Sequence, residues 1–263
     1  MADRGLIDWS RPWSAPYAEF RSLLESDDPR RALTLAAERL ALRTRGGLPV
    51  RFVAAADAGT QDYEEHIART GRVPTRDCRH DLLNALAWLA FPCIKAALNE
   101  HHVTHRNSPS PASDAGRGPA RDAATLLDEN GLLLACADPA LAADLAAMRW
   151  SELFVDARGR FGASSAALPL GHALIDKLAR PFKAICAHAW VVAVEPALLA
   201  VPAAVQRAHL DRVLGERLAG ELQSPRMLLP LPVLGIPGWW PPNQEPDFYD
   251  DRRVFRPAPR ARC

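Results

Sequence analysis

Residues 229–263, LPLPVLGIPGWWPPNQEPDFYDDRRVFRPAPRARC, set the strongest limit on the fold. Proline has no amide donor and holds φ near −65°, so Pro230, Pro232, Pro237, Pro241, Pro242 and Pro246 forbid regular structure over most of this stretch. A segment of that kind is ordered only by what its large side chains bury. Trp239 and Trp240 are its natural anchors. They either clamp the tail onto a body built by the preceding residues or form a wall for a ring or sugar in a pocket.

The preceding residues can build such a body. The chain has 263 residues, 48% of them apolar, which suffices for a sizeable core. Its 32 Lys and Arg balance 31 Asp and Glu, leaving a net charge of +1 and no field that would draw it to nucleic acid or an acidic membrane. The opening MADRGLIDWSRPWSAPYAEF has no unbroken apolar run, so no export signal is expected. The longest apolar stretch is broken by His188, Glu195, Pro196 and Pro202, which argues against a membrane span and for a cytoplasmic protein. The five cysteines, Cys78, Cys93, Cys136, Cys186 and Cys263, form no CxxC pair and read as reduced thiols. The Gly-rich phosphate loop, the GxSxG elbow and the HExxH helix are also missing, which removes support for several large enzyme classes. Nothing in the sequence speaks to oligomeric state.

Periodicity predicts an α+β fold, mostly helical, in a single domain with a small sheet. RALTLAAERLALR, QDYEEHIART, DCRHDLLNALAWLAFP, PALAADLAAMRWSELFV, ALPLGHALIDKLARPF and AAVQRAHLDRVLGERLAGEL read as helices, LPVRFVAAAD and KAICAHAWVVAV as strands. In ATLLDENGLLLAC the two apolar runs flank Asn130-Gly131, a pair that supplies the positive φ angles of a tight turn, so a β-hairpin is expected there with Asp128 and Glu129 in its turn. RNSPSPASDAGRGPA, residues 106–120, reads as a loop. The expected organisation is an N-terminal helical segment over 1–49, packed as one unit with an α+β domain over 50–257, and a disordered basic tail over 258–263.

Two constellations carry the chemistry. In the first, Asp77, His80, Asp81 and Asn84 share one stripe of a helix, opposite Leu82, Leu83, Leu86 and Leu89. A histidine between carboxylates serves as general base or metal ligand. The same stripe also reads as the solvated face of an amphipathic helix. Adjacent His80 and Asp81 further invite comparison with HD-type metal phosphohydrolases, for which His66 upstream and Asp122 downstream are available. In the second, GHALIDKLARPFKAICAH, His172 and Asp176 are i, i+4 neighbours, so the carboxylate can orient the imidazole. Lysine is rare beside arginine here: Lys95, Lys177 and Lys183 are the only three, and Lys177 and Lys183 lie six residues apart in this second segment. A compact amine that persists in an Arg-rich chain suits the anchoring of phosphate or carboxylate. His188 falls in an apolar strand, where burial depresses its pKa.

Four segments, VPTRDCRHDLLNALAWLAFPCIKAALN, RDAATLLDENGLLL, GHALIDKLARPFKAICAH and LPVLGIPGWWPPNQEPDFYDDRRVFRP, resemble in order and spacing the bacterial proteins of domain-of-unknown-function family 3025. The resemblance runs from about residue 50 to 257. It implies one integrated domain of a bacterial protein and brings no activity or cofactor with it.

The expected function is therefore hydrolysis or group transfer on a small phosphorylated or carboxylated molecule. His80, Asp81, His172, Asp176 and Lys183 would be catalytic. Asp77, Asn84, Lys177, His188, Trp239 and Trp240 would bind substrate. No cofactor is predicted, although the His/Asp pattern is compatible with a divalent metal. The rival expectation is a non-catalytic binding module whose aromatic tail docks a partner. The enzyme reading requires the imidazoles of His80 and His172 to face one hollow.

Overall fold

Two short strands, β1 (Arg51–Val53) and β2 (Arg72–Pro74), pair in parallel, but the organising element is β3 (Gly131–Cys136). Its run GLLLAC is buried at every residue. A strand without a polar face must be covered on both sides, and in this computed structural model it is. β3 pairs antiparallel with β4 (Ser165–Pro169) on one side and parallel with β5 (Cys186–Ala193) on the other, and β6 (Leu229–Pro232) pairs antiparallel with β5, giving the order β4-β3-β5-β6. The structure describes residues 7–58, 62–106 and 118–258. The loop expected over 106–120 and the tail expected over 258–263 therefore lie largely outside the described residues. The described residues are 58% helix and 13% strand, a mostly helical α+β domain.

The pleat sorts β3 between two cores. Leu133 and Ala135 join Trp190, Val192 and Leu168 in a core shared with the helices Arg79–Ala90, Pro92–Thr104 and Ala203–Glu221. Leu132, Leu134 and Cys136 face the other way with Ala187, Ala189 and Leu231, against the C-terminal aromatics. There the tail is clamped as its prolines require. It runs through short 3-10 turns, and Asn243, fully buried, donates Nδ2 to the carbonyls of Leu234 and Ile236 at 2.8 and 2.7 Å. Trp239 is buried with its ring 5.7 Å from that of Trp13, while Trp240 is half-buried beneath the Arg11 guanidinium.

Two expectations are corrected. PARDAATLLDEN is a helix, Pro119–Asn130, that opens on proline and runs straight into β3, so Asp128, Glu129 and Asn130 form its last turn and there is no hairpin. The Asn-Gly signal failed because Gly131 has φ −71° and ψ 146°, ordinary extended backbone, while Ala120, Ala123, Ala124 and Leu127 bury one helical face. ALPLGHALIDKLARPF is likewise not one helix: its first part is β4, and the helix is confined to His172–Leu178.

The helices Arg79–Ala90 and Pro92–Thr104 meet at a bend of 113°. Pro92 ends the first and, at the first position of the second, costs no hydrogen bond. Phe91 cannot cap that second helix, so buried Asp211 does so from the Ala203–Glu221 helix, accepting the N–H groups of Cys93 and Ile94 at 3.0 and 2.9 Å. Among the described residues no single helix is long and apolar enough to cross a membrane.

On the Pro92–Thr104 helix, burial holds His102 down to about 4; the charge of Asp128 opposes this, and those of Lys95, Arg121 and His101 reinforce it. A histidine that folding keeps neutral favours the unfolded chain once the pH falls below about 6.5, and the penalty grows until the folded value is reached. The His102→Leu variant is thus expected to lose about 2–3 kcal/mol less stability than the wild type between pH 7 and pH 4. Urea titrations of both proteins across that range check it; parallel curves would refute it.

Candidate functional site

The two imidazoles meet. His80 stands in the first turn of the Arg79–Ala90 helix and His172 begins the His172–Leu178 helix. Their Nε2 atoms are 3.2 Å apart and the ring planes cross at 71°. Glu129, from the turn expected to be a hairpin, brings Oε2 to 3.5 Å from Nε2 of His172. The three donors lie within 4.8 Å of one another. They open onto a cavity of about 430 Å³, which Tyr63, Glu64, Arg76, Asp81, Asn84 and Asp128 also line.

Backbone contact places these groups. The N–H groups of Leu170 and Gly171 both donate to the Gly131 carbonyl, at 3.0 and 2.9 Å, so the start of the His172 helix is tied to the end of the Glu129 helix. The approach is so close that a β-carbon on Gly171 would meet the Glu129 carbonyl and come within 2.5 Å of the Gly131 nitrogen. Only glycine fits.

Below the imidazoles lies a buried polar network. Lys95, 3% exposed, pairs with Asp128 and donates to Oδ1 of Asn84 at 2.8 Å, with the Trp88 ring 5.7 Å away. Asn84 in turn donates Nδ2 to the Tyr63 hydroxyl at 2.9 Å. Burial is the largest influence on Asp128 and works upward, but the charge and hydrogen bond of Lys95 together with the nearby imidazoles of His172 and His102 hold its carboxyl below the usual range. At the rim Arg76 grips Asp81 through two side-chain bonds of 2.9 Å.

Burial dominates the proton affinities of the remaining groups. It holds His172 down to about 4 against the attraction of Asp128, so the ring is neutral at pH 7 and keeps one lone pair. It raises the Glu129 carboxyl, with Asp128 adding to the effect, and pushes Glu64 up to about 7 even though Asn99 donates to Glu64 Oε2 at 2.7 Å. Of the groups in the cavity, Glu64 is thus the one poised to exchange a proton near neutrality.

A larger cavity, about 600 Å³, lies elsewhere along the Ala203–Glu221 helix. Its arginines are mostly engaged: Arg43 with the Gly47 carbonyl, Arg45 with that of Gly215, and Arg207 with Glu19 and the Pro16 carbonyl. It gathers no comparable set of proton-exchanging side chains, so the smaller pocket is the better candidate.

A family model described as "Protein of unknown function (DUF3025)" matches residues 50–259. The chain belongs to this family. No curated protein and no solved structure matches it. The DUF3025 region contains every residue that lines the candidate pocket, and the helices before residue 50 lie outside it.

Within this DUF3025 chain the predicted site residues divide. His80, Asp81, Asn84 and His172 line the pocket, and the stripe on the Arg79–Ala90 helix is no solvated face, because Asn84 is buried. Asp176 does not orient His172; it pairs with Arg79. Lys177 donates to Asn130 Oδ1 at 2.7 Å from outside the lining, and Lys183 sits 4.2 Å above the Phe248 ring beside Asp251. Asp77, His188, Trp239 and Trp240 are also outside the lining. The HD pattern does not assemble either, since neither His66 nor Asp122 reaches the pocket. Sequence reasoning missed Glu129, Asp128, Glu64, Tyr63, Arg76 and Lys95. A lysine inside the apolar run FPCIKAAL was the readable sign of the last.

Proposed function

We propose that this protein is an enzyme that hydrolyses a small polar molecule, or transfers a group on it, in the pocket of His80, Glu129 and His172. One observation carries the reading: the His80 imidazole and the Glu129 carboxylate close on a single atom, Nε2 of His172, at 3.2 and 3.5 Å, at the edge of a cavity large enough for a small ligand. Neutral His172 would take the proton of a nucleophile, and the Glu129 carboxylate would stabilise the imidazolium that forms. Glu64, near its midpoint at neutral pH, is placed to return a proton to the leaving group. Anchoring of an anionic substrate would fall to Arg76, the cation in the lining, rather than to Lys177 or Lys183.

The rival reading, a module docking through its aromatic tail, is weakened because Trp239 is buried against Trp13. A panel of chromogenic carboxyl esters, amides and phosphomonoesters tests the enzyme reading. Turnover found in the wild type is expected to fall about 10²- to 10⁴-fold in His172→Ala, the range for losing a general base, and to persist in Lys183→Ala. Turnover that survives His172→Ala, or a panel without turnover, would count against it.

A further inference from the structure

We propose that His80, Glu129 and His172 bind a divalent transition-metal ion of zinc's class. The inference deepens the reading above and rests on the same pocket, with one change of role: an imidazole that ligates through Nε2 has no lone pair for a proton, so with the ion bound the proton acceptor would be Glu64 rather than His172. Metal uptake itself does not require turnover. Three independent features support it.

The first is spacing. Donors bound at about 2.0–2.1 Å around a tetrahedral ion are separated by edges of about 3.3 Å. The two measured separations, 3.2 Å from nitrogen to nitrogen and 3.5 Å from nitrogen to oxygen, bracket that edge. A simple imidazole hydrogen bond would account for the first distance alone. It gives no reason for a third donor, from another helix, to close on the same atom.

The second is charge. The lining carries four carboxylates, Glu64, Asp81, Asp128 and Glu129. Arg76 neutralises Asp81 and Lys95 neutralises Asp128. Among the described residues neither Glu64 nor Glu129 has a Lys or Arg partner within salt-bridge distance, so the pocket keeps acidic groups without a counter-ion, Glu129 being one of the three donors, and a bound cation would supply it.

The third is the open side. Two histidines and one glutamate leave a fourth position facing the cavity, the pattern of a catalytic rather than a closed structural site. Zinc is the ion to test first, because two imidazoles and one carboxylate at tetrahedral spacing suit it and contain nothing soft enough to select copper(I).

The full chain, purified without an affinity tag and stripped with a chelator, is titrated with zinc chloride by calorimetry and with cobalt(II) by visible absorption. About one equivalent should bind, and cobalt should give the intense bands of a tetrahedral or five-coordinate site. His80→Gln and His172→Gln are each expected to weaken zinc binding by more than about 100-fold, Glu129→Gln by at least about 10-fold. Cys186→Ser, which removes an exposed thiol, should leave it unchanged. Circular dichroism establishes that each variant is folded. If the histidine variants fail to fold, the half-exposed Glu129→Gln, together with the cobalt spectrum, decides. Unaltered zinc affinity in folded Glu129→Gln and His80→Gln, loss of binding in Cys186→Ser, or no uptake by the folded wild type would overturn the proposal. Metal bound without turnover would sink the enzyme reading and keep this one; turnover by a folded wild type that takes up no metal would do the reverse.

Discussion

Replacing Lys95 with methionine is expected to lower folding stability by about 3 kcal/mol. Removing one partner of a buried ion pair leaves the other charge uncompensated, which costs about 3–5 kcal/mol, and the lower end applies because the Asp128 side chain keeps 15% of its exposure. Methionine fills much of the lysine's volume beside Trp88, so the loss reports charge rather than a cavity. For a chain of this size it corresponds to a fall of about 6–12 °C in Tm. Adding Asp128→Asn to Lys95→Met should restore part of the loss, because the stranded charge is then gone. Denaturant titrations of the single and double variants check this. A single variant within about 0.5 kcal/mol of the wild type would mean that Asp128 is already solvated, and the network would not be the foundation of the site.

The second large effect is expected at Gly171. Its φ of −66° and ψ of 125° suit any residue, so an alanine suffers no torsional strain there. The obstacle is the backbone opposite: the added carbon would meet the Glu129 carbonyl and the Gly131 nitrogen, which no rotamer change can move. The two segments must separate, breaking the bonds of Leu170 and Gly171 to the Gly131 carbonyl. Overpacking of this kind costs about 1–3 kcal/mol and occasionally more. The displacement also moves His172 away from Glu129, so zinc affinity should fall together with stability. Gly162→Ala, at a helical position with nothing near its β-carbon, is the matched control and should lower neither. If Gly171→Ala keeps wild-type stability and metal affinity, the contact between these segments does not set the site.

Much of the fold was readable because its signals are local. The Ala203–Glu221 and Tyr63–Thr70 helices, the buried strand β5 and the clamped aromatic tail follow from periodicity, capping and proline, each decided within a few residues. The helix ending at Asn130 was not readable, because Asn-Gly carries the same turn preference whether or not its glycine takes a positive φ. That one misreading hid Glu129 and Asp128 together. Lys95 was passed over for a related reason. Spacing drew attention to Lys177 and Lys183, although the amine that matters is Lys95, set in the apolar run FPCIKAAL, whose partners come from other helices.

The sequence by itself therefore determined most of the helical segments, that the tail needs its large side chains to order it, and that His80 lies on the polar stripe of a helix. Only the tertiary structure decided that the imidazoles of His80 and His172 share one hollow, that Glu129 joins them, and that Asp176, Lys177 and Lys183 do not. The physical reason is the range of the forces involved. Helix and turn preferences act over three or four residues, whereas the pocket depends on β3 carrying Glu129 at its entrance and on a glycine opposite that lets His172 approach, a contact between segments some forty residues apart.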